Sequence, residues 1–426
     1  MKTAADAPAL NSVMELSQPH CRLCQSLLEE IFVDLGMSPL SNAYVQPLKT
    51  RQMEPFYPLR VYVCSECFLV QLEEFETPEA IFAEDYAYFS SYSTTWLRHV
   101  EDYAASMIRR FSLTPSSLVM EAASNDGYLL QYFRNRGIPV LGIEPARNVA
   151  QVAEAKGIPT RSIFFSAETA AQLVAEGFRA DVLAGNNVYA HVPDLHSFTE
   201  GMRIALKPHG VITLEFPHLL QLLRHSQFDT IYHEHFSYLS LVAVEYVFAR
   251  HDLEVFDVEE LTTHGGSLRI FGKHIADSTK IVSERVLALR RLESEEGLNR
   301  LETYRAFSAR VCAIKCDLLE FLISCRRQGK SVAGYGAPAK GNTLLNYCGI
   351  GSELLAYTVD RSPHKQGRLL PGSRIPIYGP EKILETRPDY VLILPWNLRE
   401  EIAAQMAEIR SWGGQFVTPI PDLQVF

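Results

Sequence analysis

The sequence has no apolar run of the roughly 18 residues that a membrane-spanning helix needs, so no membrane span is expected. It also lacks a basic excess: Lys and Arg total 40 against 50 Asp and Glu, for a net charge of −10 and a pI near 5.8. A nucleic-acid partner is therefore not expected, because it would need clustered basic surface. The first residues show no basic stretch followed by an apolar core, so no signal peptide is read there and a cytoplasmic location is expected. Disulfides rarely persist in that reducing compartment, and the eight cysteines read as thiols or metal ligands. A spaced Gly-x-Gly-x-x-Gly, which lets a dinucleotide pyrophosphate approach bare backbone, is missing too. What is present is a chain of 426 residues, 47% hydrophobic and 21% charged. That is the composition of a globular protein with a core of normal size and room for more than one domain.

Four cysteines form two Cys-x-x-Cys pairs, Cys21 with Cys24 and Cys64 with Cys67. Each pair can bring two thiolates to one ion through a tight turn, and two pairs satisfy a tetrahedral Zn²⁺. Four thiolates leave no open position, so the expected zinc is structural rather than catalytic. The plain alternative is four reduced cysteines without metal. Between the pairs lies the strand-like run Leu59-Arg-Val-Tyr-Val63. Further on, Glu84-Asp-Tyr-Ala-Tyr-Phe-Ser-Ser-Tyr-Ser93 crowds tyrosines and hydroxyls into ten residues. It suits an aromatic plug or the wall of a site equally well. An amphipathic helix is expected from about Thr95 to Arg110.

The chain is organised around residues 118–127, Leu-Val-Met-Glu-Ala-Ala-Ser-Asn-Asp-Gly. A short apolar run ends at Glu121, a turn of small residues follows, and Tyr128-Leu-Leu-Gln-Tyr-Phe continues as a helix. That is the first strand–turn–helix unit of a doubly wound sheet, in which ligands bind at the carboxyl ends of the strands. The turn offers Ala123, Ser124, Asn125 and Asp126 but only one glycine, Gly127. It resembles, in variant form, the Glu/Asp-x-Gly-x-Gly-x-Gly motif of class I S-adenosylmethionine (SAM) methyltransferases. The polar residues suit the amine and carboxylate of a sulfonium amino acid. Glu144 ends the next strand candidate, roughly 20 residues past the turn, where an acid can accept both ribose hydroxyls. Later strand ends carry Ser166 and Asn186-Asn187, and His191 follows. Pro208-His-Gly210 reads as a turn into a strand over residues 211–216. Strands alternating with helices imply a parallel sheet.

Ile231-Tyr-His-Glu-His-Phe-Ser-Tyr238 packs two His, one Glu and two Tyr into eight residues. If it is extended, Tyr232, Glu234 and Phe236 share one face and His233 and His235 the other. Histidine titrates near neutrality and is a natural base for a carbon acid; a buried, hydrogen-bonded His is the plain alternative, and no third ligand is spaced for a metal. Thr263-His-Gly-Gly-Ser-Leu-Arg269 reads as a glycine turn entering a strand. Residues 279–326 read as a helical connector, with Cys312, Cys316 and Cys325 as core or groove thiols. Ser331-Val-Ala-Gly-Tyr-Gly-Ala-Pro-Ala-Lys-Gly-Asn-Thr343 starts a second α/β unit. Its helix start and Lys340 suit a phosphate; a turn without a ligand is the alternative.

Together these motifs resemble the C-methyltransferases that act on nucleotide-linked deoxysugars. The resemblance spans about residues 18–425 and rests on the two cysteine pairs and on five further motifs. These are Glu121-x-x-Ser-Asn-Asp-Gly127, Asn186-Asn-Val-Tyr-Ala-His191, Tyr232-His-Glu-His235, His264-Gly-Gly-Ser267 and Gly334-Tyr-Gly-Ala-Pro-Ala-Lys-Gly341. It implies an α/β fold with a zinc-binding lobe (residues 1–78), a class I methyltransferase Rossmann-like domain (79–310) and a second, C-terminal Rossmann-like domain (311–426) that helps bind the nucleotide sugar. The implied reaction is SAM-dependent methylation at C-3 of a nucleoside-diphosphate-linked 4-keto-6-deoxy sugar. By resemblance His235 is the base, Tyr232 and Glu234 stand beside it, and Tyr86 and His191 hold the sugar or its 4-oxyanion. Ala123, Ser124, Asn125, Gly127, Glu144, Asn186 and Asn187 are the expected SAM contacts, and Tyr335, Lys340 and Asn342 the expected substrate contacts. One departure is Ala123, where relatives commonly carry Gly. A monomer or weak homo-oligomer is expected. Two alternatives from other classes are an NAD-dependent sugar oxidoreductase and a non-catalytic zinc protein that binds a nucleotide sugar.

Overall fold

The computed structural model describes residues 18–77 and 89–426; Tyr86 lies outside the described residues. The central sheet has seven strands in the order Leu253–Leu261, Ser267–His274, Leu206–Pro217, Ala180–Asn186, Val119–Ala122, Val140–Ile143, Thr160–Arg161. All pair in parallel except Ser267–His274, which is antiparallel to both neighbours. Val119–Ala122 and Val140–Ile143 are buried along their whole length, which explains their unbroken apolar character. The strand order reverses at Val119–Ala122, so the loops after it and after Ala180–Asn186 part there and open a crevice.

The helix expected before the sheet runs Thr94–Arg110. Ser93 caps it by accepting the Trp96 N–H, and Val100, Tyr103, Ala104 and Met107 form its buried stripe. One expectation is corrected. Pro208-His-Gly210 is not a turn but part of the continuous strand Leu206–Pro217, whose pairing shifts register between Ala180 and Val182. Gly210 permits this, because a Cβ there would sit 2.8 Å from the Ala180 carbonyl oxygen.

A four-stranded antiparallel sheet joins Glu30–Ser38, Tyr57–Val63, Val70–Leu72 and Ser237–Tyr238. Its last strand comes from the central region and begins two residues after His235. The cysteine-bearing lobe is thus not a separate bead. Cys21, Leu23, Cys64 and Cys67 share a core with Phe216, Leu239 and Val244, while Phe32, Val61 and Val70 share another with Phe307, Val311 and Leu344.

The third sheet has the order Ile377–Tyr378, Thr358–Val359, Val332–Tyr335, Tyr390–Ile393, Gln415–Thr418, Gln424–Val425, parallel except for the last strand. The helix Phe307–Arg327 leads into it and buries Val311, Ile314, Leu318, Leu322 and Cys325. Cys312 and Cys316 are exposed. The expected core or groove role therefore fails for those two, because they occupy the helix face turned to solvent.

Candidate active site

The four knuckle sulfurs, Cys21, Cys24, Cys64 and Cys67, all lie within 4.8 Å of one another. The residue after each knuckle, Gln25 and Phe68, takes a left-handed φ (65° and 56°). Each returns its N–H to the carbonyl of the first cysteine, at 2.9 and 3.1 Å. The Leu23 and Glu66 N–H groups point at Cys21 Sγ and Cys64 Sγ, both at 3.4 Å, and Gln71 Nε2 donates to Cys21 Sγ at 3.1 Å. Hydrogen bonding with Cys21 and Cys64 pushes the Cys67 thiol up. A dication among the four sulfurs would reverse that, and the set fits tetrahedral Zn²⁺.

At the crevice, Glu121 is wholly buried and neither carboxylate oxygen has a well-formed hydrogen bond, although the Tyr128 phenol faces it. Burial raises its carboxyl well above the usual range. Ser124 Oγ, Asp126 Oδ1, Asn186 Oδ1 and Asn187 Oδ1 are also buried without partners. Unpaired buried polar atoms of this kind are costly, and together they suit a ligand that brings a cationic amine. The turn is tightly wound: Ala123, Asn125 and Gly127 have φ of 55°, 48° and 75°. Ala123 thus occupies a left-handed position, at roughly 1–2 kcal/mol for an L-residue. Glu144 braces the turn, accepting the Asn125 N–H and the Ala146 N–H, both at 2.9 Å. Burial, opposed by those two bonds, pushes its carboxyl up to about 7. Asn125 in turn accepts the Ser90 N–H at 2.9 Å.

The Tyr232–His235 segment is not extended. The His235 N–H bonds the Tyr232 carbonyl at 2.9 Å, closing a turn. The face pairing expected of a strand is therefore replaced. Tyr232 and His235 come together with ring centroids 4.0 Å apart, while the side chains of the two middle residues go elsewhere. His233 Nε2 donates to the Pro58 carbonyl at 3.2 Å, and Glu234 accepts from Asn42 Nδ2 at 2.7 Å. Glu234 serves the cluster through its backbone: its carbonyl accepts His191 Nδ1–H at 2.7 Å. The Thr230 carbonyl accepts His235 Nδ1–H at 2.8 Å. Carbonyls only accept, so both rings carry their proton on Nδ1 and present Nε2 as a lone pair. The rings meet edge to face at 4.6 Å, and the Phe236 N–H staples the two loops together at the Ala190 carbonyl, 2.8 Å away. Burial holds His191 down to about 4 and His235 well below the ordinary histidine range, His235 further lowered by its neighbour His191. Both are neutral at pH 7.

Several residues not singled out from the sequence complete the crevice. Glu215 lies near the C-terminal end of the strand Leu206–Pro217 and is wholly buried. It bonds His99 Nε2 at 2.9 Å, Arg269 Nη2 at 2.6 Å and Thr263 Oγ1 at 3.0 Å. Burial would raise its carboxyl, but His99 and Arg269 prevail and hold it at about 2. Trp96 stacks near His99, Tyr128 and His264, at 5.0, 6.0 and 5.4 Å. An acid at a strand end is the signal that drew attention to Glu144, and it was available for Glu215. Nothing local marked Trp96 or His99.

The C-terminal domain contributes Lys340. Its ammonium bonds Asn397 Oδ1 at 3.0 Å and lies 4.8 Å over the Trp396 ring. The Trp396 indole N–H donates to Asp229 Oδ2 at 2.7 Å. Asp229 is buried, which pushes its carboxyl up to about 6 against the pull of Lys340. Burial depresses His235 and His264, and the nearby charge on Lys340 lowers both further. Tyr335 and Asn342 are not brought to this cluster. Tyr335 packs in the C-terminal core and its phenol meets Gln405 at 3.3 Å; Asn342 Nδ2 donates to the Ser41 carbonyl at 2.6 Å. The glycines of this turn are used for packing. A Cβ on Gly334, Gly336 or Gly341 would lie 2.7, 2.4 or 3.0 Å from Thr358, Pro395 or Leu394.

Three family models match successive parts of the chain: "Putative zinc binding domain" at residues 21–82, "Methyltransferase domain" at 96–258 and "C-methyltransferase C-terminal domain" at 262–421. C-methyltransferase NovU of Streptomyces niveus is 36% identical over 405 residues, covering 95% of this chain and 96% of that protein. Among solved structures, the magnesium protoporphyrin IX methyltransferase of Synechocystis with bound SAH is 14% identical over 41% of this chain and 82% of that one, with a TM-score of 0.34. A SAM-dependent methyltransferase from Anabaena variabilis is 18% identical over 42% and 86%, also at 0.34. Both likenesses are too slight to bear on the site. The strand order, the cysteine cluster and the near full-length relative agree, and the chain belongs to the C-methyltransferase family, with a class I SAM methyltransferase fold between a cysteine-rich N-terminal lobe and a second Rossmann-like domain.

Proposed function

We propose that the protein methylates C-3 of a nucleoside-diphosphate-linked 4-keto-6-deoxy sugar through an enolate. The observation that carries this reading is the pair His191 and His235, two neutral imidazoles in contact with both Nδ1–H groups given to carbonyls. A ketone acidifies the neighbouring C–H, and a fixed neutral imidazole is a competent base for it near pH 7. His235 Nε2 takes the C-3 proton, and the Thr230 carbonyl supports the imidazolium that results. His191 Nε2 accepts a sugar hydroxyl, because its own proton is committed to the Glu234 carbonyl. Lys340 supplies positive charge toward the developing 4-oxyanion or the diphosphate. SAM, when bound, provides an electrophilic methyl group on its sulfonium. The residues to hold it are Glu121, Ser124, Asn125, Gly127, Glu144, Asn186 and Asn187: the unpaired buried acceptors of Glu121, Ser124, Asn186 and Asn187 fit its amine, and Glu144, beside the turn, would accept its ribose hydroxyls. The cysteine cluster takes a structural Zn²⁺.

The oxidoreductase alternative is disfavoured by the packed glycines of the 334–341 turn, and the non-catalytic alternative by the paired bases. The test is a panel of nucleotide 4-keto sugars incubated with SAM and read by product mass. A gain of one methyl on a keto sugar is expected. Binding of both ligands without methylated product from any member would overturn the reading.

A further inference from the structure

We propose that Arg22, inside the first cysteine knuckle, is a positioning residue that sets the two facing histidines, so that the metal lobe acts on the chemistry and not only on folding. The proposal rests on the assignment of His235 as base and of His191 as its neighbour in the site. Arg22 stands between Cys21 and Cys24. Its Nη1 donates to the carbonyl of Pro193, two residues past His191, at 3.0 Å. Its Nη2 donates to the Leu72 carbonyl on the lobe's own sheet. The guanidinium carbon lies 5.4 Å from the ring centroid of Phe236, the residue next to His235. Its backbone N–H bonds Gln71 Oε1 at 2.9 Å, and the same glutamine amide reaches Cys21 Sγ at 3.1 Å.

These contacts close a circuit. The Leu72 N–H bonds the Phe236 carbonyl at 3.0 Å, and the Phe236 N–H bonds the Ala190 carbonyl at 2.8 Å. Val70–Leu72 pairs with Ser237–Tyr238, so the segment following the base is itself a strand of the lobe's sheet. One planar fork thus holds the His191 loop and the lobe strand together and covers the ring beside His235. Arginine suits this because its donors diverge in a fixed plane; a lysine has one small head for two separated carbonyls. Arg22 Nε is buried without a partner, a cost accepted at this position and offset by the two carbonyl contacts. Two imidazoles 4.6 Å apart make sensitive cargo, since a displacement of about 1 Å can cost 10²-fold in rate.

The test uses full-length protein purified with its metal. Arg22→Met keeps the stem and removes the fork; Arg22→Lys keeps the charge and one arm. Arg22→Met is expected to retain its zinc content and SAM affinity and to lose roughly 10- to 100-fold in kcat with little change in KM. Arg22→Lys should fall between it and the wild type. Nitrogen NMR of ¹⁵N-histidine-labelled protein without ligands should show altered His191 and His235 signals in both variants, a readout that needs no turnover. Wild-type kcat with unchanged imidazole signals would overturn the proposal. So would loss of zinc or SAM affinity in step with kcat in both variants, which is the mark of a folding role alone. If Arg22→Met does not fold, Arg22→Lys decides by the same criteria. A His235→Asn enzyme that still turned over would remove the base assignment instead, and the imidazole signals would then test Arg22 separately.

Discussion

In the central domain, Glu144 at the end of the second strand accepts the N–H of the preceding turn, at Asn125, and that of Ala146, two residues ahead of it. In the C-terminal domain, Asp360 stands at the end of Thr358–Val359 and does the same with Ala337 and Ser362, both at 2.8 Å. The two Rossmann-like units share one brace and differ in what fills the space above it. Around the first turn, buried acceptors of Glu121, Ser124, Asp126 and Asn186 remain unpaired. At the second, Thr358, Pro395 and Leu394 press against glycine backbone. A turn with unsatisfied polar groups is built for a ligand, whereas a turn packed with side chains is scaffold. From the second unit, Lys340 lies over the Trp396 ring, and Trp396 donates to Asp229 of the central domain.

The largest expected effect falls on the proposed base, His235. His235→Asn keeps the polarity but cannot take a proton, and kcat should drop about 10²–10⁴-fold with SAM affinity unchanged. Near-normal turnover would transfer the role to His191 or Tyr232. The next experiment splits the two braces. Glu144→Ala should weaken SAM binding by about 1.5–3 kcal/mol, as for a lost charged hydrogen bond, and Asp360→Ala should leave it untouched. Equal losses by calorimetry would erase the distinction drawn here. Lys340→Ala should weaken keto-sugar binding by roughly tenfold or more, as for a charge-assisted contact, with SAM binding intact; the reverse pattern would exchange the roles of the units.

Acid should act through the buried histidines. His235 is held below the ordinary range, so between its folded and unfolded pKa the unfolded chain binds more protons. Unfolding free energy must then fall as pH drops below about 6.5. Urea unfolding at pH 7 and pH 5 should show a smaller loss for His235→Asn than for wild type. The smallest effect concerns the turns themselves. Ala123→Gly should stabilise by about 1 kcal/mol by removing left-handed strain. Gly336→Ala should destabilise, because its Cβ would meet Pro395 at 2.4 Å and its φ is 91°. A stabilised Gly336→Ala protein in thermal melts would contradict the packed-turn picture.

Much of this architecture was legible locally. The two cysteine pairs, the strand–turn–helix at Glu121, the acid at Glu144 and the second unit at residue 331 each follow from short-range pattern. The histidine segment was legible as chemistry but not as shape. Its faces could be assigned only on the condition of an extended backbone, and the hydrogen bond from His235 back to Tyr232 shows instead a turn that separates Glu234's side chain from the cluster. Glu215, His99, Asp229 and Trp396 went unread because each gains its meaning from a partner far along the chain: Trp396 bonds Asp229 across 167 residues, and His99 bonds Glu215 across 116.

By itself the sequence determined which groups could do chemistry, because residue type and spacing settle metal geometry, acid–base capacity and the period of strand or helix. Only the tertiary structure decided that the Thr230 and Glu234 carbonyls take the Nδ1 protons of His235 and His191 and leave each Nε2 unprotonated, and that Glu144 braces a turn beside the unpaired acceptors of Glu121, Ser124 and Asn186. It also brought Arg22 of the knuckle to the Pro193 carbonyl and the Phe236 ring, neighbours in sequence of His191 and His235. The physical reason is that protonation state, tautomer and orientation depend on which long-range contacts close around a side chain, and no local pattern encodes those contacts.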